Sequence, residues 1–200
     1  MLTPMNTITN RSAQMANLAD FVFTHFGDIA ENIISGWELR SYSISSESGN
    51  DVISGKSDYI GVYLESADLD TGSGNDAIIG IGSEFGVYIN CFSSLITGAG
   101  NDVISGRGRD YGVLFDIGSS LDTGTGNDLV EGHGSNHGIH VKAGSMVNTG
   151  TGNDTLIGQG DVYGIFIYGG NIATGTGNDI INGSARYGLL GLGGIFDTGN

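Results

Sequence analysis

Six aspartates recur along the chain at nearly constant spacing, and each one ends a glycine-rich segment. The tripeptide Gly-Asn-Asp recurs with intervals of 25, 26, 26, 26 and 25 residues. Carboxylates and the carbonyls of glycine-rich turns are oxygen donors, and calcium accepts six to eight such oxygens at flexible angles. Magnesium demands stricter geometry, and zinc prefers His or Cys. The pattern therefore predicts calcium as the cofactor, with these metal ligands: Asp51, Asp76, Asp102, Asp128, Asp154 and Asp179.

Other positions keep the same period and indicate which elements carry the aspartates. An aliphatic residue follows each aspartate by two positions, and a glycine follows it by four. Each repeat holds three short segments in which apolar and polar residues alternate, which is typical of strands. Repetition with almost no insertions predicts a solenoid whose equivalent strands stack about 4.8 Å apart in parallel sheets. We therefore predict an all-β fold, a right-handed parallel β-helix of about six coils with three short strands per coil.

The chain divides where the repeats begin. Residues 44–200 carry repeats of about 26 residues, whereas residues 1–43 do not fit the pattern. Three- and four-residue spacing of apolar side chains predicts an amphipathic helix in the N-terminal segment, although residues 32–36 weakly resemble a strand of the repeat. We predict a partly helical cap that covers the open edge of the first coil. The apolar residues of the predicted helix are Met15, Leu18, Val22, Phe26, Ile29 and Ile33.

The composition excludes several classes of function. There are 22 acidic and 7 basic residues, a net charge of −15, so the chain has too few cations to bind a nucleic acid backbone. No apolar run reaches the roughly 18 residues of a membrane span. A basic region followed by an apolar run is also missing, so we expect no cleaved signal peptide. No cluster of acids and bases interrupts the repeat as a catalytic site would, and we predict that the protein is not an enzyme.

The turn motif resembles a known family. Residues 150–158, Gly-Thr-Gly-Asn-Asp-Thr-Leu-Ile-Gly, resemble the calcium-binding nonapeptide of the RTX (hemolysin-type) family, Gly-Gly-x-Gly-x-Asp-x-aliphatic-x, and the match recurs six times in phase. The resemblance implies calcium bound between coils, folding on meeting calcium, and secretion without a cleaved N-terminal signal to an extracellular or cell-surface location. Two departures are that Thr or Ser replaces the first Gly, and that each coil carries one such turn where the family usually has two. We therefore expect one column with at most five ions.

The outward side of the turns leaves two other interpretations open. Extracellular adhesins that bind ice carry similar calcium-bound solenoids, and this chain resembles them at Thr125 with Asn127, Thr151 with Asn153, and Thr176 with Asn178. The array is incomplete, because earlier coils have Ser or Ala at the Thr position. A structural alternative to calcium is an amide ladder of the asparagines, with the aspartates only facing solvent: Asn50, Asn75, Asn101, Asn127, Asn153 and Asn178.

A further column lies between two inward aliphatic positions and should therefore point outward. An exposed apolar stripe of this kind usually marks an interaction surface, so we predict self-association or docking of another protein or cell-surface component, unless a neighbouring loop covers the stripe. In one coil, His133, His137 and His140 could instead form a zinc site, although no other coil repeats the trio. The stripe consists of Tyr63, Tyr88, Leu114, His140, Phe166 and Leu190.

These features together predict a calcium-binding extracellular solenoid with a structural or adhesive role, which associates end to end or along the stripe. The alternatives are an ice-binding face and a carbohydrate-active β-helix enzyme. A flat outward array of Thr and Asn would favour ice binding. A groove with unique acids and bases would favour the enzyme, and the nearest irregularity is the corner of Arg107, Arg109 and Asp110.

Overall fold

Three strands form in each coil because apolar residues alternate with polar ones between glycine-rich turns. The computed structural model describes residues 6–9, 32–35, 37–40, 43–46 and 48–199. All regular elements in these ranges are strands, and equivalent strands of successive coils pair in parallel. The predicted all-β parallel solenoid is confirmed, with about six coils of about 26 residues.

The strands fall into three sheets, named here A, B and C. Sheet A holds the strands that follow the aspartates: Asn6–Thr9, Asn32–Ser35, Val52–Ser57, Ala77–Gly82, Val103–Arg107, Leu129–His133, Thr155–Gln159 and Ile180–Ser184. Sheet B holds Trp37–Arg40, Ile60–Glu65, Phe85–Asn90, Tyr111–Phe115, His137–Val141, Tyr163–Tyr168 and Tyr187–Leu192. Sheet C holds the short strands Ser43–Ser45, Asp68–Asp70, Ser94–Ile96, Ser120–Asp122, Met146–Asn148, Asn171–Ala173 and Ile195–Asp197.

The core is a stack of aliphatic columns, one residue from each coil. Ile78, for example, pairs in register with Ile53 before it and Ile104 after it, and all three are at most 1% exposed. Sheets B and C contribute equivalent columns to the same core. Burying an aliphatic side chain of this size contributes about 1.5–3 kcal/mol relative to leaving it exposed. The core therefore holds every coil in the same register, which aligns the turns that carry the aspartates.

Sheets A and B approach each other closely where each coil has a glycine. A Cβ atom at Gly106 would lie 2.1 Å from the carbonyl oxygen of Gly112, and one at Gly112 would lie 2.1 Å from the amide nitrogen of His133. Because these neighbours are backbone atoms, only glycine fits at both positions. The repeated glycines therefore set the path by which the chain passes from sheet A to sheet B.

The sheets continue into the segment for which the sequence predicts a cap. Asn32–Ser35 pairs with Val52–Ser57 in sheet A, and Trp37–Arg40 pairs with Ile60–Glu65 in sheet B. Ile33 lies in the first of these strands, opposite Val52, so its assignment to a helix is wrong: backbone pairing with the first full coil takes precedence over the weak helical spacing. The other residues of the predicted helix, Met15 to Ile29, lie outside the described residues. Among the described residues, no helix is long and apolar enough to cross a membrane.

The coils differ in length at the corner between sheets B and C. Register pairs Glu65 with Asn90 and Asp68 with Ser94, so the first coil has two residues at this corner and the second has three. The backbone turns here in the left-handed region, at Gly144 (φ 77°) and Gly169 (φ 68°) in later coils. A non-glycine residue pays about 1–2 kcal/mol for this conformation. The earlier coils nevertheless place Cys91 (φ 56°), Phe92 (φ 60°) and Ile117 (φ 48°) there.

Candidate functional site

The six predicted aspartates form one column at the edge of sheet A. The first five are at most 2% exposed, and Asp179 is half-buried. The backbone N–H of each of the first five aspartates donates to Oδ1 of the aspartate in the following coil; Asp102, for example, donates to Asp128 at 2.9 Å. The same bond recurs along the whole column at 2.8–2.9 Å. The structure therefore brings the carboxyl groups together in a line, as the spacing predicts.

The asparagine before each aspartate belongs to a second ladder, which runs in the opposite direction. The N–H of Asn75 donates to Oδ1 of Asn50 at 2.7 Å, and the bond repeats as far as Asn178. The asparagines are exposed, whereas the aspartates are buried, because successive residues of an extended chain point to opposite sides. The alternative of an amide ladder is therefore right for the asparagines, but its assignment of the aspartates to the solvent is wrong.

A column of buried hydroxyl groups lies beside the carboxyl groups and was not predicted from the sequence. Thr123 Oγ1 donates to the carbonyl oxygen of Thr149 at 3.1 Å, and the same contact recurs in the other coils at 3.2–3.4 Å. The available signal was the period itself, since a Thr or Ser stands five residues before every aspartate. Each member is fully buried: Ser46, Thr71, Thr97, Thr123, Thr149 and Thr174.

Burial makes the ionised form of these carboxyl groups costly. Desolvation raises the pKa of Asp76 from 3.8 to about 6, although the nearby Thr71 hydroxyl and the hydrogen bond from the Asp51 amide lower it. The pKa of Asp128 rises to about 6 for the same reason, and those of Asp102 and Asp154 also rise. A change of this size corresponds to about 3 kcal/mol in favour of the neutral form. The column therefore favours a proton or a bound cation at each buried carboxyl group.

The donor atoms of the column suit a hard cation. Oδ2 of Asp76, Asp102, Asp128 and Asp154 is buried and makes no hydrogen bond of normal geometry within the described part of the chain. Among these same residues, no three side chains of His, Cys, Asp or Glu lie close enough together to hold a metal ion. A cation at the column would therefore need carbonyl and hydroxyl oxygens to complete its coordination. Calcium tolerates such mixed oxygen ligands, so the residues present fit it better than zinc.

The turns outside the column are held by backbone hydrogen bonds between coils. Gly74 N–H donates to the carbonyl oxygen of Ala99 at 2.7 Å, and Gly100 N–H donates to that of Thr125 at 2.8 Å. A carbonyl oxygen has a second lone pair that remains available to a metal ion. These carbonyl oxygens lie beside the column and could add to the oxygen ligands that the carboxyl groups offer a cation.

The Thr and Asn residues of the predicted ice-binding array are exposed in regular rows. Thr125 bridges to Thr151, and Thr151 bridges to Thr176, in parallel register. Asn127, Asn153 and Asn178 are exposed beside them, two residues further along each turn. The backbone N–H groups of Asn153 and Asn178 donate to Oδ1 of Asn127 and Asn153 at 2.8 Å, which fixes two of the three asparagine side chains. The structure thus places the six residues on one outward edge.

The prediction of a contiguous exposed apolar stripe is wrong. Tyr63, Leu114 and His140 are 8%, 2% and 6% exposed, and Tyr88, Phe166 and Leu190 are only partly exposed. The six side chains lie outside the core cluster, but they pack along the outer face of sheet B. Tyr88 leans toward the next coil, where its hydroxyl donates to Asp116 Oδ2 at 3.4 Å. A second aromatic column stacks against the stripe: Phe85, Tyr111, His137, Tyr163 and Tyr187.

The three histidines of the fourth coil do not converge. His137 and His140 stack with ring centroids 4.5 Å apart and 12° between their planes, whereas His133 lies in sheet A and contacts Glu131 at 2.7 Å. Lone pairs of imidazole lie in the ring plane, so two nearly parallel stacked rings do not aim their nitrogens at one ion. Burial lowers the pKa of His137 to about 4, and burial together with His137 lowers that of His140 to about 3. Both rings are therefore neutral at pH 7.

The corner of Arg107, Arg109 and Asp110 carries a surface ion pair. The Arg109 guanidinium contacts the Glu84 carboxylate in the neighbouring coil and lies 3.5 Å from the Asp110 carboxylate. These contacts raise the pKa of Arg109. The charged groups at this corner neutralise one another between adjacent coils.

Comparison of the chain with protein-family models, with curated proteins and with solved structures gives no match. The candidate site is therefore defined by the geometry of this chain: a buried carboxyl column, a buried hydroxyl column and an exposed row of Thr and Asn.

Proposed function

We propose that this chain is a calcium-binding structural repeat module that acts outside the cell or at its surface. The observation that supports it best is a set of buried carboxyl groups without positive partners. Asp76, Asp102, Asp128 and Asp154 form no ion pair with a basic side chain in the described part of the chain. Two charges about 5 Å apart repel by about 3 kcal/mol at an effective dielectric constant near 20. A divalent cation between neighbouring carboxylates turns this repulsion into attraction.

The residues that would hold the ions are the six aspartates, helped by turn carbonyls and by the Thr hydroxyls beside them. Bound calcium would supply positive charge to the column, and the six aspartates of successive coils would hold it. The chain's own contribution is to hold Oδ1 of the last five aspartates on a backbone N–H, which orients the carboxyl group and leaves Oδ2 for the ion. Five divalent ions would bring the net charge from −15 to about −5. The resemblance of the turns to RTX repeats supports both the ion and the extracellular location.

Thermal unfolding followed by circular dichroism tests this proposal. We expect the melting temperature of the wild type to rise with calcium and to change little with magnesium, because a ligand at 100 times its Kd stabilises a site by about 2.7 kcal/mol. Asp128→Asn keeps an acceptor for the Asp102 N–H but removes one charge. This variant should be more stable than the wild type in chelator and should respond less to calcium.

Asp122→Asn is the matched control, because Asp122 is exposed on sheet C and the next coil has Asn148 in the same register. It should respond to calcium as the wild type does. An unchanged melting temperature and spectrum of the wild type on adding calcium or chelator would refute the calcium proposal.

Ice binding is a second candidate, favoured by the exposure of the Thr and Asn rows and by the fixed asparagine side chains. The test is inhibition of ice recrystallisation by the calcium-loaded protein. Thr151→Lys should abolish the inhibition because it disrupts the middle of the row, whereas Gln159→Lys, on the exposed side of sheet A, should retain it. Equal activity of the two variants, or no activity in the wild type, would exclude this candidate.

A further inference from the structure

Two large apolar side chains project from the corner between sheets B and C. Phe92 is 76% exposed and Ile117 is 48% exposed. The N–H of Phe92 donates to the carbonyl oxygen of Ile117 at 2.9 Å, so the two residues are neighbours in adjacent coils. The Phe92 ring lies over Gly118, where a Cβ atom would come within 2.6 Å of it. Ile96 lies four residues after Phe92, at the end of its sheet C strand, and is 38% exposed.

The backbone at this corner adopts a conformation that suits glycine. Phe92 and Ile117 have φ values of 60° and 48°, whereas the following coils turn at Gly144 and Gly169. Positive φ is especially unfavourable for a β-branched residue such as isoleucine. Because both side chains are exposed, packing within this chain compensates little of the strain. Residues held in such conformations concentrate at functional sites. We therefore expect Phe92 and Ile117 to serve a function other than packing of the core.

Acidic side chains flank Ile96, at the sheet C end of this surface. Register places Ile96 between Asp70 and Asp122 on the outer face of sheet C. The nearby cation, Lys142, is paired with Asp116 at 2.6 Å. The net charge stays negative, at −15 without ions and about −5 with five divalent ions, which disfavours the approach of a second copy of this chain. The complementary partner is therefore apolar on one side and basic on its flanks.

We propose that the surface formed by Phe92, Ile96 and Ile117, with Asp70 and Asp122 beside it, binds a cationic amphipathic helix of another protein. The apolar face of that helix covers the two projecting side chains, and its Lys or Arg residues pair with the two carboxylates. Contact with the partner supplies the burial that Phe92 and Ile117 lack in the free chain. The aspartate column takes no part, so this interaction does not depend on the proposed calcium binding.

A synthetic amphipathic helical peptide of about 14 Leu and Lys residues is a suitable probe. Binding is measured by fluorescence anisotropy on the full chain, with a peptide of the same composition but no apolar face as the control. The double variant Phe92→Gly, Ile117→Gly should lower the affinity about tenfold or more, because it removes the apolar anchors. It should keep or raise the melting temperature, because glycine relieves the strain.

Tyr59→Ser is the matched control variant. Tyr59 is 59% exposed at another corner, next to Asp58 and in contact with the Phe85 ring, and its replacement should leave peptide binding unchanged. Equal loss of affinity in this variant would show unspecific attraction to exposed aromatic and acidic groups, and would overturn the proposal.

The acidic flank is tested by Asp70→Asn with Asp122→Asn. Asp122 Oδ1 accepts the Gly124 N–H at 3.2 Å, and Asn148 accepts the Gly150 N–H in the same way at 3.3 Å, so asparagine preserves the turn. We expect weaker peptide binding with less dependence on salt. Failure of the wild type to bind the peptide, or equally tight binding by the double glycine variant, would overturn the proposal. The proposal would also be overturned if the wild type dimerised, or bound phosphatidylcholine vesicles, and the glycine variant lost that property but still bound the peptide.

Discussion

The aspartate column and the His137–His140 pair both bury titratable side chains, but burial has different consequences for the charge of the two groups. Every coil repeats the aspartate, and each carboxyl group from Asp76 onward accepts a backbone N–H from the coil before it. The histidines occur in one coil only, and Nδ1 of each ring has no hydrogen-bond partner among the described residues. A neutral imidazole stays stacked between aromatic rings without a counter-charge, whereas a line of ionised carboxylates is costly unless protons or cations neutralise it. The same burial thus leaves the histidines neutral and raises the pKa of the aspartates.

The histidine pair should show the largest effect in this comparison. The pKa of each ring is lowered on folding, so its stabilising contribution is complete above pH 6.5 and is lost as the pH falls toward 4. Lys142 lowers these pKa values further, while Asp110 and Asp116 raise them. Replacing His137 by Tyr and His140 by Leu copies the neighbouring coils. Between pH 7 and pH 4, the variant should gain about 3 kcal/mol per ring over the wild type.

Chemical denaturation at several pH values measures this difference. Comparing variant with wild type cancels the aspartate column, whose raised pKa values act in the opposite direction: their stabilising contribution is present below about pH 4 and is lost as the pH rises through about 6. A stability difference that stays constant between pH 7 and pH 4 would contradict the assignment of neutral buried imidazoles.

Substitutions in the aspartate column should have the next largest effect on stability. The comparison uses two replacements of Asp128. Asp128→Asn retains an acceptor for the buried N–H of Asp102, whereas Asp128→Ala leaves that N–H without one. In chelator, the Ala variant should be less stable than the Asn variant by about 1–3 kcal/mol, measured by urea denaturation. Equal stabilities of the two variants would mean that the hydrogen bond between the Asp102 N–H and residue 128 contributes nothing to stability. The aspartate column would then differ from the histidine pair only in charge.

The buried hydroxyl column should show a smaller effect. Thr123→Val keeps the shape of the side chain but removes the bond to the Thr149 carbonyl oxygen. We expect a loss of about 1 kcal/mol in the free energy of unfolding. Thr125→Val, in the exposed part of the same turn, is the control and should change stability by less than about 0.5 kcal/mol. A larger loss of stability in Thr125→Val than in Thr123→Val would show that the stabilising hydrogen bonds lie on the exposed side of the turn.

The exposed asparagine ladder should show the smallest effect. Asn127→Ala removes the acceptor of the Asn153 N–H, but water reaches this edge of the turn and replaces it. The cost should be about 0.5 kcal/mol or less in thermal unfolding, well below that of the buried aspartate ladder. A larger loss would show that the outer ladder holds the coils together as much as the inner one does.

Much of the candidate site followed from spacing. The period of the Gly-Asn-Asp motif predicted that the carboxyl groups would form one column, and the alternation around Val62 and Leu64 predicted two inward residues, which are in the core. Spacing could not predict the burial of Leu114 or His140, because their exposure depends on aromatic side chains in neighbouring coils. It also could not predict that Phe92 and Ile117 adopt left-handed conformations with exposed side chains.

The sequence by itself determined the period of the solenoid, the three strands of each coil, the inward aliphatic columns and the alignment of the aspartates. Local alternation is sufficient for these features, since it decides which side of a strand each residue occupies. Only the tertiary structure decided that the aspartates are buried, that the two ladders run in opposite directions, and that Phe92 and Ile117 project in left-handed conformations. The physical reason is that burial and hydrogen bonding at each position are set by the coils before and after it, 25 or 26 residues away in the chain.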